Sequence, residues 1–282
     1  MDRTVHDNGG PQQPVHPAMS EKTLSLGTGW PSFDVSALSW ASKALVVYGA
    51  LMCLACGLTW LVSLNDARML REVGIWIKPM KFMATTALLS WTTVWLTEWA
   101  HAPTSHRPAY IGICALLVAT SLFEVAYITC QAAQGAASHY NTRDPWHAIM
   151  FGLMAVAAVG LTASQAWLAW EIWTTRVSTP LRVTAWGVIT GLVLTFVLST
   201  ISGFLLGSQQ PPAGSGLLLF GWHLEKDIRP AHFLGVHAQQ LIPLWGLFVD
   251  RCLGVYASHA LAAGSALYVV LWALLTWAGL GP

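Results

Sequence analysis

The sequence predicts an all-α fold, a polytopic transmembrane helical bundle of about seven spans, on three observations. Hydrophobic residues fill 55% of the 282 positions and charged residues only 10%, against roughly 25% charged in an ordinary soluble domain. Runs of about 20 apolar residues recur, the length a helix needs to cross a hydrocarbon core of roughly 30 Å. Many of the 16 tryptophans stand near the ends of those runs, where an amphipathic ring sits well at headgroup level. A transmembrane barrel would instead show short alternating segments.

Taken in order, residues 1–40 are polar and rich in Gly, Pro, Gln and His; they bury too little apolar surface to fold and are expected to be a disordered tail. No basic stretch precedes a short apolar run with a cleavage site, so no secretory signal peptide is expected. Residues 41–282 form the transmembrane domain, with spans drawn at 44–64, 80–100, 109–131, 146–173, 183–207, 231–250 and 258–280. Seven crossings put the termini on opposite sides. The side of the N-terminal tail is called face A, and the other, which receives the connections after spans one, three and five, face B.

Lys and Arg divide seven to seven between the faces, so the positive-inside rule ties, and the denser cluster in the first face-B loop tips face B toward the cytoplasm. A net charge of +1 offers no polybasic surface for nucleic acid; the lipid bilayer is the first partner. All five cysteines lie in or beside apolar runs, which argues against a disulfide framework, and Cys53 and Cys56, spaced like a redox pair, read as packing residues in mid-helix. Gly187 with Gly191 and Gly203 with Gly207 have the four-residue spacing of small-residue helix packing.

Three segments break the apolar pattern: Asn65 to Phe82, Gln131 to His147, and Gly221 to Gln240. With seven spans all three fall on face B. Within them stand Trp76-x-Lys-Pro-x-Lys-Phe82, Ser138-His-Tyr-Asn141 and Arg229-x-Ala-His-Phe-x-Gly-x-His-Ala-x-Gln240. On these motifs the chain after residue 40 resembles a family of bacterial multi-pass membrane proteins with no established activity. The resemblance implies the same fold and a bacterial plasma-membrane location, and it carries no functional role.

Pro79, Pro145 and Pro230 each fall at the first turn of a predicted span, where a missing N–H costs nothing. Three helix N-termini therefore converge on face B with their partial positive charge, yet Lys78, Lys81 and Arg229 stand beside them. Compensation is expected from Asp66, Glu72, Asp144, Glu225 or Asp227, or from an anionic ligand: a lipid phosphate, a substrate carboxylate or cofactor propionates. The plainer alternative makes the lysines interfacial anchors that snorkel to headgroups.

Glu124 falls near the middle of the third span, where an unpaired charge costs several kcal/mol, so it should face the bundle interior. Gln131, seven residues on, shares its helical face, with Tyr127 between them. His232 and His237 are five residues apart, a turn of about 140°, so a straight helix cannot aim both at one ion. His139, His232 and His237 are the candidate metal ligands; with Glu124 they are the candidate catalytic groups. Lys78, Lys81, Arg229, Asn141, Gln131 and Gln240 are the candidate substrate or anion contacts. Glu98, His101, His106 and His259 fall near face A and read as interfacial, and Glu171 as a structural partner of Arg176.

Three function classes follow. The first is a membrane-embedded enzyme dependent on haem or a divalent transition metal and acting on a lipophilic or small anionic substrate, since zinc, iron and haem all accept imidazole. The second is a non-catalytic subunit or assembly factor of a membrane complex. The third is a proton-coupled transporter in which Glu124 titrates. Membrane hydrolases of the ceramidase type share the Ser, Asp and His content, but their late helix carries His-x-x-x-His and this chain has one residue more. A retinal Schiff base is excluded for the last span, which has no Lys.

Overall fold

With no water in the hydrocarbon region, each apolar run must satisfy its own backbone, and it does so as a helix. The computed structural model describes residues 35–99, 103–175, 182–208 and 226–281. A 3-10 turn, Val35–Ala37, leads into α1 (Trp40–Ser63), followed by α2 (Ile77–Trp99), α3 (Pro108–Ala133), α4 (Pro145–Thr175), α5 (Val183–Gly207), α6 (Arg229–Cys252) and α7 (Ala257–Leu280). Each predicted span coincides with one helix to within four residues, and the fifth matches at both ends. The unit from Asp34 onward holds all seven; the tail before residue 35 and residues 209–225, Glu225 among them, lie outside the described residues.

The helix starts are written locally. Pro108 and Pro145 are the first residues of α3 and α4, and Pro230 is the second of α6, positions where the missing N–H removes no bond. Ser39 caps α1 by accepting from the Ser42 N–H at 3.2 Å. Asp144 accepts from the His147 N–H at 3.0 Å and Asp227 from the Arg229 N–H at 3.0 Å, so the first turns of α4 and α6 receive acids from their own chain. Hydrogen bonds from the His147 backbone and ring and from Arg143 hold the Asp144 carboxyl down at about 2.

One element escapes the sequence reading. The connection after α1 contains an antiparallel pair, β1 (Met69–Leu70) and β2 (Val73–Gly74), joined by Arg71 and Glu72 at φ 51° and 60°. Two successive left-handed residues are what a two-residue hairpin turn requires, usually filled by Asn and Gly. Arg and Glu gave no such signal.

Packing divides the bundle along the membrane normal. Leu45, Leu96, Ile113, Leu117, Leu168, Ile172 and Leu192 are all fully buried and belong to one apolar cluster contributed by α1 to α5. All seven lie in the face-A half of their helices, so α1 to α5 are close-packed there. The tightest pair is α5 with α6, and glycines make it so. A Cβ at Gly187 would stand 3.2 Å from Gly246 Cα, one at Gly191 2.9 Å from the Ala238 carbonyl, and one at Gly235 2.9 Å from the Ser199 nitrogen. Gly187 and Gly191 thus do the packing their spacing predicts, whereas Gly207 meets nothing within 4 Å.

Two tryptophans fasten neighbouring helices in the same manner. Trp91 of α2 donates its indole N–H to the Val46 carbonyl of α1 at 3.1 Å, and Trp245 of α6 donates to the Ala260 carbonyl of α7 at 3.0 Å. In each case a glycine, Gly49 or Gly264, lies under the ring. Outward, Leu51, Leu54 and Leu58 of α1 and Leu267, Leu271 and Leu274 of α7 are exposed. Apolar stripes of that extent are at home in lipid, and the chain is a multi-pass membrane protein.

Candidate functional site

The face-B half is hollow. A cavity of about 900 Å³ is lined by the hairpin, α2 from Ile77 to Leu89, α3 from Ser121 to Ala132, the loop residues Ala136 to Tyr140, α4 from Phe151 to Thr162, α5 from Ser199 to Gly207, and α6 from Arg229 to Gln240. Along α2 this is twelve residue steps, so the cavity descends about 18 Å into the bundle. Its walls are mostly apolar, with Leu88, Leu89, Ile128, Met154 and Phe204 among them.

The three segments singled out in the sequence meet at its mouth. Arg68 donates to the Ala133 carbonyl at 2.9 Å, and Tyr140 Oη to the Leu206 carbonyl at 2.8 Å, tying the first connection to α3 and the third to α5. Tyr140 holds φ at 57°, a conformation costing an aromatic residue on the order of 1–3 kcal/mol; its ring lies tilted against Phe151, centroids 5.5 Å apart. Arg68 and Trp76 both donate to Asp66, at 2.7 and 2.8 Å, and these bonds, Arg68 first, keep the Asp66 carboxyl well below the usual carboxylate range.

Of the ten sequence-predicted site residues, eight line the cavity: Lys78, Lys81, Glu124, His139, Arg229, His232, His237 and Gln240. Gln131 and Asn141 do not. Gln131 is buried beside Tyr127 on the Glu124 face of α3, and Asn141 donates to the Ala137 carbonyl at 2.9 Å, folding its loop.

Glu124 is 7% exposed, and among the described residues no hydrogen bond or ion pair within 4 Å reaches its carboxyl. The charge that acts on it is Lys78, whose ammonium lies 5.8 Å over the Phe82 ring. Lys78 also acts on His139. His139 sits between Phe82 and Phe151, ring centroids 6.2 and 6.0 Å away, with its Nδ1 3.2 Å from Ser138 Oγ. Burial, reinforced by the Lys78 charge, pushes its pKa well below the ordinary histidine value, so at neutral pH it is an uncharged imidazole.

Arg229 is paired with Asp227 at 2.6 Å, which meets part of the compensation the sequence demanded. Lys81 stands close enough for the two cations to repel. Eleven residues further along both helices, Gln240 Nε2 donates to Thr92 Oγ1 at 3.4 Å. Equal spacing means that α2 and α6 run side by side in the same direction. Between the two meeting points, Thr85 and Leu88 line the cavity and are exposed, so the chamber is open along this seam.

His232 and His237 line the same chamber on separate supports. His232 Nδ1 is 2.9 Å from Ser202 Oγ, whereas the His237 ring lies against Phe233, centroids 4.2 Å apart. Among the described residues no three His, Cys, Asp or Glu side chains are arranged to hold a metal ion. The arrangement thus gives the expected His139, His232 and His237 metal centre no support: one ring lies between phenylalanines, one is turned to Ser202 of α5, and one lies tilted against Phe233 of its own helix.

Sequence reasoning missed Ser121 and Ser199 in the lining, and Ser202 behind His232. Gln239 and Gln240 each leave a buried side-chain carbonyl without a partner, an expensive state unless something enters to donate. Elsewhere, Glu171 pairs with Arg107 at 3.4 Å, while Arg176 and His101 lie outside the described residues. Comparisons with protein-family models, with curated proteins and with solved structures return no match.

Proposed function

We propose that this chain takes an amphipathic anion from the bilayer into the face-B chamber and acts on it by acid–base chemistry, with the acid head on Lys78, Lys81 and Arg229 and the chain along the apolar walls. The observation that carries this reading is the composition of one cavity: three cations at the mouth, a buried Glu124 carboxyl without a hydrogen bond and three imidazoles inside, and hydrocarbon walls between. Cations at a face of the membrane attract carboxylate or phosphate, and the seam between α2 and α6 gives an acyl chain a sideways entry. Glu124 and the neutral His139 are the groups placed to move a proton. The apolar packing of α1 to α5 toward face A, with Leu45, Leu96, Leu117 and Leu168 fully buried, favours a binding chamber closed at its base over a path across the membrane. A bacterial plasma membrane is the proposed location.

Binding of a photoreactive tetradecanoic acid to the purified protein in nanodiscs tests this. Labelling is expected on α2 and α6, competed by tetradecanoate and reduced at least tenfold in Lys78→Gln/Arg229→Gln. Uniform labelling of the lipid-facing α1 and α7, unaffected by those substitutions, refutes it. One observation favours a second reading, an iron porphyrin: His232 offers an imidazole within an apolar chamber whose mouth has cations for two propionates. In that case His232 would hold the iron and Lys78, Lys81 and Arg229 the carboxylates, and the group would supply redox chemistry. A Soret band lost in His232→Ala separates the two readings.

A further inference from the structure

A serine hydroxyl owns one proton. Ser202 Oγ lies 2.7 Å from the Leu198 carbonyl, which can only accept, and 2.9 Å from His232 Nδ1. With the proton committed to the shorter bond, the second contact is a hydrogen bond only when the imidazole donates. Ser202 is fully buried, so no water competes for either bond. Gly203 borders the ring, with room for ordinary contact: a Cβ there would be 3.7 Å from His232 Cε1. Among the described residues no hydrogen bond reaches His232 Nε2, and the residue lines the chamber.

We infer that Ser202 is a positioning residue holding His232 as the Nδ1–H tautomer, so that its bare Nε2 accepts a hydrogen bond from a hydroxyl carried by the amphiphile near its acid head. This rests on the binding reading above and narrows its ligand to a hydroxylated acid. The placement follows from α6: His232 is three residues beyond Arg229, about 4.5 Å deeper along the helix. A head held by Arg229 puts a hydroxyl two or three carbons down the chain at the depth of Nε2. The deeper Gln239 and Gln240 carbonyls leave room for further donors, but the Nε2 lone pair is the basic one.

The tautomer is tested without any ligand, by 15N spectra of histidine-labelled protein in nanodiscs, with the His232 signals identified as those missing in His232→Gln. Wild type and Ser202→Thr are expected to carry the proton on Nδ1, and Ser202→Ala to shift it to Nε2. A wild-type proton on Nε2, or a tautomer indifferent to Ser202→Ala, overturns the inference, and the wild-type spectrum decides alone should Ser202→Ala fail to fold. The ligand is tested with 3-hydroxytetradecanoate against tetradecanoate. One added hydrogen bond predicts about fivefold to tenfold tighter binding of the hydroxy acid, a preference that vanishes in His232→Gln and Ser202→Ala and returns in Ser202→Thr. Equal affinities in wild type overturn the hydroxyl contact alone. Binding of neither acid overturns both it and the amphiphile reading, while the spectra still decide the tautomer.

Discussion

Replacing Gly235 by alanine tests whether the α5–α6 seam positions the site. The new methyl would meet Ser199 N at 2.9 Å, Leu198 C at 3.0 Å and Ser199 Cα at 3.0 Å. All three are backbone atoms and cannot rotate away. Apolar contact is optimal at about 3.5–4.0 Å, so α6 must move off α5 by about 0.5–1 Å. Overpacking of this kind costs about 1–3 kcal/mol, partly hidden by the helix preference for alanine over glycine, about 1 kcal/mol. Gly57→Ala supplies the control, because a Cβ there meets nothing within 4 Å. Thermal unfolding of the two variants in the same detergent should separate them by about 2–12 °C, taking roughly 2–4 °C per kcal/mol for a chain of this size. The same displacement pulls His232 from Ser202, so the Nδ1–H signal should weaken too. Equal melting temperatures for Gly235→Ala and Gly57→Ala would refute the seam as described.

Three further expectations follow. Glu124→Gln keeps the shape and removes a buried ionisable group that has no hydrogen bond to lose, so its melting temperature should equal or exceed that of wild type; a loss of more than about 1 kcal/mol would reveal a hidden partner. Trp91→Phe removes the bond to Val46 and should cost about 0.5–1.5 kcal/mol in chemical or thermal unfolding, and an unchanged stability would show that the ring alone holds α1 to α2. His139 takes up protons more readily unfolded than folded, so its contribution to stability falls as pH drops below about 6.5 and keeps falling toward its depressed folded value. His139→Asn lacks that penalty, and its melting temperature relative to wild type should rise between pH 7 and pH 5; a constant difference across that range contradicts a buried neutral imidazole.

Much of this was legible before any coordinates. Apolar run length gave five of the helices outright, because lipid admits hardly any alternative for such runs, and shorter apolar stretches between those five marked the less apolar α2 and α6. The shared side of three polar segments anticipated the chamber at one face. The periodicity of α3 placed Glu124, Tyr127 and Gln131 on one buried face. What stayed hidden depends on contacts between helices distant in sequence. Nothing near Ser202 announces His232, thirty residues on, and the turn at Arg71 and Glu72 runs against its residues' own preferences. The three histidines share a chamber, but a shared chamber does not fix where a ring points. Ring direction is set by Phe82, Phe151, Ser202 and Phe233, which no spacing rule connects to them.

Five of the seven helices are long and apolar enough to cross a membrane on composition alone, and α2 and α6 are the two outside that set. These are also the helices that flank the seam and carry Lys78, Lys81, Arg229, His232 and His237. Each lies between apolar neighbours in the chain, α1 and α3 or α5 and α7. Their entry into lipid during synthesis must therefore lean on those neighbours as paired hairpins, with the indole clasps of Trp91 and Trp245 as the fastening. Biogenesis thereby limits how polar the chamber can become: each further charge on α2 or α6 draws on the same insertion free energy that the adjoining helices supply.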